Sequence, residues 1–139
     1  MRYFYFYLFA LLSFSGFAQN PVPNMEAVKA MRVKSGDSKF IEMQGYYSQN
    51  DGGEGLLELI DKGNLQADYG VYFPAADKNK IWRRVIGSNN VNVRWYGAKA
   101  DGKNNDAAPL QRALDYAAQN KGSVFFPAGI TERAGTRPR

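Results

Sequence analysis

The chain has 139 residues, room for one ordinary domain, and it contains neither cysteine nor histidine. Disulfide frameworks, thiolate zinc sites, cysteine nucleophiles and any Ser-His pair are therefore excluded. Much of the formal charge of +5 lies at the ends: without Arg2, Arg133, Arg137, Arg139 and Glu132 the body keeps 14 Lys+Arg against 12 Asp+Glu. So small a surplus is no electrostatic footprint for DNA or RNA, and no nucleic-acid partner is expected.

Residues 1–18 have the layout of a cleaved signal peptide. Arg2 supplies the single positive charge, an apolar run extends to Leu12, and Gly16 and Ala18 supply the small residues of a cleavage site. The run is too short to span a bilayer, and no cysteine is present for lipidation, so a secreted or periplasmic product without a stable membrane anchor is expected. Residues 19–32 form the predicted linker, because Pro21 and Pro23 bias their predecessors toward extended backbone. Within it, residues 28–32 stay open between a short helical turn and a further strand.

Residues 33–90 carry short apolar runs separated by turn clusters, the pattern of a small β-rich module. Its predicted strands are Phe40-Ile41-Glu42-Met43, Leu56-Leu57-Glu58-Leu59-Ile60, Val71-Tyr72-Phe73 and Ile81-Trp82-Arg83-Arg84-Val85. A second layout covers residues 91–129. Val91-Asn92-Val93-Arg94-Trp95 alternates as a strand, and a helix is predicted over 106–120. Asp106 would cap that helix through its side chain, with Pro109 tolerated in the first turn. Leu110, Ala113, Leu114, Ala117 and Ala118 would form its inner face, and Gly122 would close it. Ser123-Val124-Phe125-Phe126 reads as a last strand, and residues 130–139 as an unpatterned basic tail.

Three groups of residues are of the types that carry chemistry. Asp101, Asn104, Asn105 and Asp106 superficially resemble a calcium loop, but Lys103 stands at its third position, the central glycine is missing, and Arg112 replaces the bidentate glutamate. Turn and cap roles fit these residues better. Asp51 and Glu54 are two carboxylates of the kind that flank a sugar in glycoside hydrolysis, yet their Gly-rich setting reads as a turn. Tyr46, Tyr47, Trp82, Trp95 and Tyr96 are the candidate glycan-binding aromatics, with core packing as the competing role. Arg83 and Arg84 read as solvated charges at a strand edge.

Val93-Arg94-Trp95-Tyr96-Gly97-Ala98-Lys99-Ala100-Asp101-Gly102, Asn105-Asp106, Leu110-Gln111-Arg112-Ala113-Leu114-Asp115 and Gly122-Ser123-Val124-Phe125-Phe126-Pro127-Ala128-Gly129 together resemble the opening of the pectate-lyase-like β-helix superfamily. Gly45-Tyr46-Tyr47, Asp51-Gly52-Gly53-Glu54-Gly55, Ala67-Asp68-Tyr69-Gly70 and Trp82-Arg83-Arg84-Val85 are similar to the β-rich module that precedes the β-helix in many such proteins, phage tailspikes among them. The resemblance implies a mixed α/β, mainly β chain: a small β-rich module, then a strand, a capping helix and the first strand of a truncated right-handed parallel β-helix. It also implies a polysaccharide partner, acidic in character, for a parent that acts as a polysaccharide lyase or glycoside hydrolase and can form a homotrimer. Catalytic groups in that superfamily lie on later coils, so no catalytic residue, metal ligand or cofactor is expected in this chain. The expected role is thus the inactive N-terminal part of a secreted carbohydrate-active protein. The alternatives are an exported glycan- or partner-binding module, or a frame-shifted product without function, the latter resting on the unpatterned last ten residues.

Overall fold

A computed structural model describes residues 21–128. The signal peptide assigned to residues 1–18 and the tail assigned to 130–139 lie outside the described residues. The fold is mainly β with few helices. Five strands, β1 (Pro21–Val22), β2 (Phe40–Met43), β3 (Gly55–Asp61), β4 (Tyr72–Pro74) and β5 (Lys80–Arg84), form one sheet in the order β1-β2-β3-β5-β4. All its pairs are antiparallel except β1 with β2.

Alternation works as expected on β2, where Ile41 and Met43 point into the core and Phe40 and Glu42 point out. On β5, by contrast, the adjacent residues Ile81 and Trp82 are both buried, although Arg83, on the same face as Ile81, is exposed. Carboxylates organise the turns: Asp68 accepts from the backbone N–H groups of Gly70, Val71 and Tyr72, and Asp77 from that of Asn79.

Within the segment expected as a linker, residues 21–30 take up secondary structure. β1 and a short helix, α1 (Met25–Ala30), occupy residues 21–30, and Val22, Met25 and Val28 enter the first core with Ile41, Leu57 and Trp82. Asn24 makes this happen by accepting from the Ala27 N–H at 3.0 Å, an N-cap that starts the helix directly after Pro23.

The predicted strand over 91–95 is shorter than its alternation implies. β6 is only Val91–Asn92, after which a 3₁₀ turn covers Val93–Tyr96. Asn92 accepts from the Arg94 N–H at 2.9 Å and so bends the chain, and Gly97 ends the turn at φ +89°. Helix α2 (Ala107–Gln119) follows, then β7 (Val124–Phe125), which pairs with β6 in parallel. Ala113 and Ala117 bury α2 against the 3₁₀ turn and this strand pair, while Leu114, expected on the inner face, is exposed.

The ends of α2 also differ from expectation. Asp106 occupies the N-cap position but makes no side-chain cap bond; its carboxylate turns back to accept from the N–H groups of Lys99 and Ala100 at 2.9 and 2.7 Å. Asn105 accepts from the Ala107 N–H instead. At the other end Lys121, not Gly122, takes the left-handed conformation (φ +52°), and Gly122 is needed because a Cβ there would run into the backbone of Asn89.

The second core joins Val91, Val93, Tyr96, Ala113 and Ala117 to Val71 from the sheet region, so the segment from residue 91 onward packs directly on what precedes it. Among the described residues no helix is long and apolar enough to cross a membrane, and no cluster of acidic side chains is placed to hold a metal ion.

Candidate functional site

The structure separates the five candidate aromatics by burial. Trp82 and Tyr96 are fully buried and Tyr46 nearly so, which leaves no ring face for a sugar at any of the three. Trp95 is half-buried, with the Arg84 guanidinium 5.0 Å from its ring centroid. Tyr47 is exposed, at 51 %. It is the member of the set that a ligand can reach freely.

Arg84 corrects the reading of a solvated edge charge: it is 2 % exposed. Its Nε donates to the Gly70 carbonyl, Nη1 to that of Glu54 and Nη2 to that of Gly53, at 2.8, 2.8 and 2.9 Å. The cation is held by carbonyl dipoles and by the rings of Trp95 and Phe73, with no carboxylate in ion-pair contact among the described residues. Burial pulls its pKa down to about 10, which still leaves it charged at neutral pH. Arg83 does behave as a surface charge, paired with Glu58 across the β3–β5 ladder at 2.6 Å.

Around Tyr47 the chain forms a cleft of about 260 Å³, lined by Tyr46, Tyr47, Ser48 and Asp51 on one side and by Arg94, Gly97, Ala98 and Lys99 on the other. It lies on the seam between the five-stranded sheet and the segment that leads into α2. Asp51 shapes one wall: its carboxylate accepts from the N–H groups of Tyr46, Tyr47, Ser48 and Gly53 at 2.7 to 3.0 Å. Partial burial works against ionisation, but these four donors outweigh it and hold the group below the ordinary carboxylate range. The expected turn role of Asp51 is what the geometry displays.

The opposite wall approaches closely because glycine allows it. A Cβ on Gly97 would lie 2.5 Å from the Tyr46 ring and 2.9 Å from the Tyr47 hydroxyl, and that hydroxyl donates to the Gly97 carbonyl at 3.0 Å. The Tyr46 and Tyr47 rings meet edge to face at 4.8 Å. Burial raises the Tyr46 hydroxyl to about 12, so it stays neutral. The Lys99 ammonium sits 5.0 Å from the Tyr47 ring centroid, and Arg94 donates to the Asp51 carbonyl at 3.1 Å. Arg94 and Lys99 were not anticipated as site residues. Their only signal in the sequence was proximity to Trp95, Tyr96 and Gly97, which carries no information about which distant loop they face.

Residues 90–130 match the family model of the rhamnogalacturonase A/epimerase, pectate lyase-like group. Among solved structures the chain is similar to Pantoea stewartii WceF, a glycan biofilm modifying enzyme with a bacteriophage tailspike-like parallel β-helix fold (TM-score 0.67, 25% identity, 78% of this chain and 16% of that one). It is also similar in fold to the enzymatically active domain of tailspike protein 2 of bacteriophage CBA120 (TM-score 0.60, 20% identity, 70% of this chain and 14% of that one). Tailspike protein 4 of the same phage gives a TM-score of 0.52 at 14% identity, over 66% of this chain and 12% of that one. No curated protein matches the chain. The likeness to the pectate-lyase-like group lies in residues 90–130, and the chain spans less than a fifth of the length of these solved relatives.

Proposed function

We propose that this chain is the N-terminal head and cap of an exported carbohydrate-active β-helix protein, of polysaccharide lyase or glycoside hydrolase type, and that it has no catalytic activity of its own. The observation that carries the reading is α2 lying across the parallel β6–β7 pair directly beside the sheet. A stack of β-coils leaves backbone groups and apolar side chains uncovered at its end, and an amphipathic helix covers both. Export is supported by the leader-like pattern of residues 1–18.

The reading of inactivity is supported by how several carboxylates are used. Asp51, Asp68, Asp101 and Asp106 each accept from two or more backbone N–H groups. At Asp51 and Asp101 these donors favour the ionised form, the opposite of what a general acid for glycoside cleavage requires. The chain would then contribute glycan contact rather than chemistry, and the open Tyr47 cleft favours that over a purely mechanical spacer.

The test is to incubate the purified chain with polygalacturonate and with bacterial exopolysaccharides, following new reducing ends, unsaturated products and migration in glycan-containing gels. No cleavage with retarded migration on at least one glycan is expected. Cleavage of any of them overturns the inactive-head reading, and unretarded migration on all of them reduces the head to a spacer.

A further inference from the structure

We infer that the cleft where the first core reaches the surface, between the 34–37 turn and the ends of β3 and β4, is a binding site for an aliphatic monocarboxylate, an apolar chain with one anionic end. It shares no lining residue with the Tyr47 cleft, so it stands apart from the glycan-contacting role proposed above.

The floor is apolar. Leu57 and Leu59 lie on the same face of β3, yet Leu57 is fully buried and Leu59 only partly, so the core runs out between them. Five partly buried apolar side chains pack against that core, and four of them, Met31, Val33, Leu59 and Ala75, line this one cleft of about 260 Å³. None of the four side chains carries a hydrogen-bond donor, so the floor suits hydrocarbon rather than a polar ring. Met31 is unbranched and flexible, which lets the floor adapt to a flexible chain. The volume lies just under the ~300–1,000 Å³ of ordinary small-molecule pockets, which favours a short chain.

The rim supplies the charge. Lys34, Lys39 and Lys80 stand there with Asp37 and Asp77. Lys80 is paired with Asp61 at 2.7 Å, whereas Lys34 and Lys39 belong to no ion pair among the described residues. The two carboxylates are engaged by backbone: Asp37 accepts from the Lys34 N–H and Asp77 from the Asn79 N–H, each at 2.8 Å. The backbone of both unpaired lysines is already tethered, because the Asp37 N–H donates to the Lys34 carbonyl at 3.1 Å and the Leu59 N–H to the Lys39 carbonyl at 2.7 Å. An anionic head can therefore meet Lys34 and Lys39 without breaking an existing ion pair, while its chain covers the floor.

The experiment is an NMR titration of the full chain, with isotope-labelled methionine methyl groups, at neutral pH. The probes are hexanoate, heptanoate, octanoate, octanol, octylamine and N-acetylleucine. The Met31 methyl resonance reports on the cleft, and those of Met25 and Met43 in the closed core serve as internal references. Octanoate should shift the Met31 resonance saturably, and each methylene added from hexanoate to octanoate should tighten binding by about two- to fourfold. Octanoate should bind about two- to fivefold more tightly than octanol, and the double substitution Lys34→Gln, Lys39→Gln should bring it to the octanol level. Thermal melting checks the fold of that variant, and the chain-length series on the unaltered chain is decisive whether or not it folds. No saturable shift of Met31, or an affinity independent of chain length, overturns the site. Octanol or octylamine binding as tightly as octanoate overturns the anionic end. N-acetylleucine binding more tightly than hexanoate overturns the aliphatic acid and assigns the cleft to a peptide C-terminus instead.

Discussion

The Arg84 guanidinium stacks 5.0 Å from the Trp95 ring centroid while donating to the carbonyls of Gly53, Glu54 and Gly70. One side chain on β5 thereby joins the Gly-rich loop before β3, the loop before β4 and the 3₁₀ turn that leads to α2. The bonds to Gly70 and Gly53 are buried, so those two carbonyls would lose their partner away from solvent if the guanidinium were removed.

Arg84→Ala is accordingly expected to cost about 3–5 kcal/mol, since it strands buried acceptors and opens a cavity beside Trp95. Arg84→Lys should recover little, because a single ammonium cannot reproduce a planar fork aimed at three carbonyls. Urea unfolding followed by tryptophan fluorescence measures both. A loss under about 1 kcal/mol for either variant would contradict this account.

Gly70 packs against the ring of Tyr96, where an added Cβ would sit 2.3 to 2.4 Å from three ring atoms. Gly70→Ala should cost about 1–3 kcal/mol by overpacking. Gly63→Ala is a useful contrast, because nothing lies within 4 Å of a Cβ there and only its φ of +48° opposes the change, at about 1 kcal/mol. Equal losses at the two positions, read from thermal melting, would show that close approach to Tyr96 is not what requires glycine.

Asp51 and Asp101 both lie below their ordinary carboxylate range, Asp101 at about 2 through the N–H groups of Asn104 and Lys103. A carboxyl whose folded pKa is depressed stabilises the fold above its unfolded value and loses that contribution as pH falls through the folded one. Melting temperature should thus decline from about pH 4 toward pH 2. Asp51→Asn should lower stability by about 1–3 kcal/mol at neutral pH and flatten the decline. An unchanged acid profile in this variant would mean that the four donors do not favour the charged carboxylate.

At the alkaline end the sign is reversed. Burial raises the Tyr46 hydroxyl to about 12 and pushes Tyr96 higher still, with Asp68 adding to the latter. A folded chain that keeps protons the unfolded one releases loses stability as pH rises above the unfolded value near 10. Tyr46→Phe should reduce that loss. Tyrosinate absorbance during alkaline titration should show a late fraction that appears together with unfolding, and smooth ionisation of all tyrosines near pH 10 would refute it.

The sequence by itself determined what depends on neighbours along the chain. Alternation located β2 and β3 to within a residue or two, Asp51 and Asp101 were legible as turn formers, and the 3.6-residue spacing of Leu110, Ala113 and Ala117 gave α2. The family resemblance over residues 93–129 was equally local, because it lay in motif order. Tertiary structure decided the rest. Nothing in Ile81-Trp82-Arg83-Arg84 states that Arg83 faces solvent while Arg84 is buried, since that depends on carbonyls about 14 and 30 residues away. Tyr46 and Tyr47 are likewise neighbours of the same kind, and only the arrival of Gly97 against them, 50 residues on from Tyr47, leaves one ring buried and the other open beside Lys99. Burial is a property of which distant segments meet, and spacing along the chain fixes only which side chains share a face.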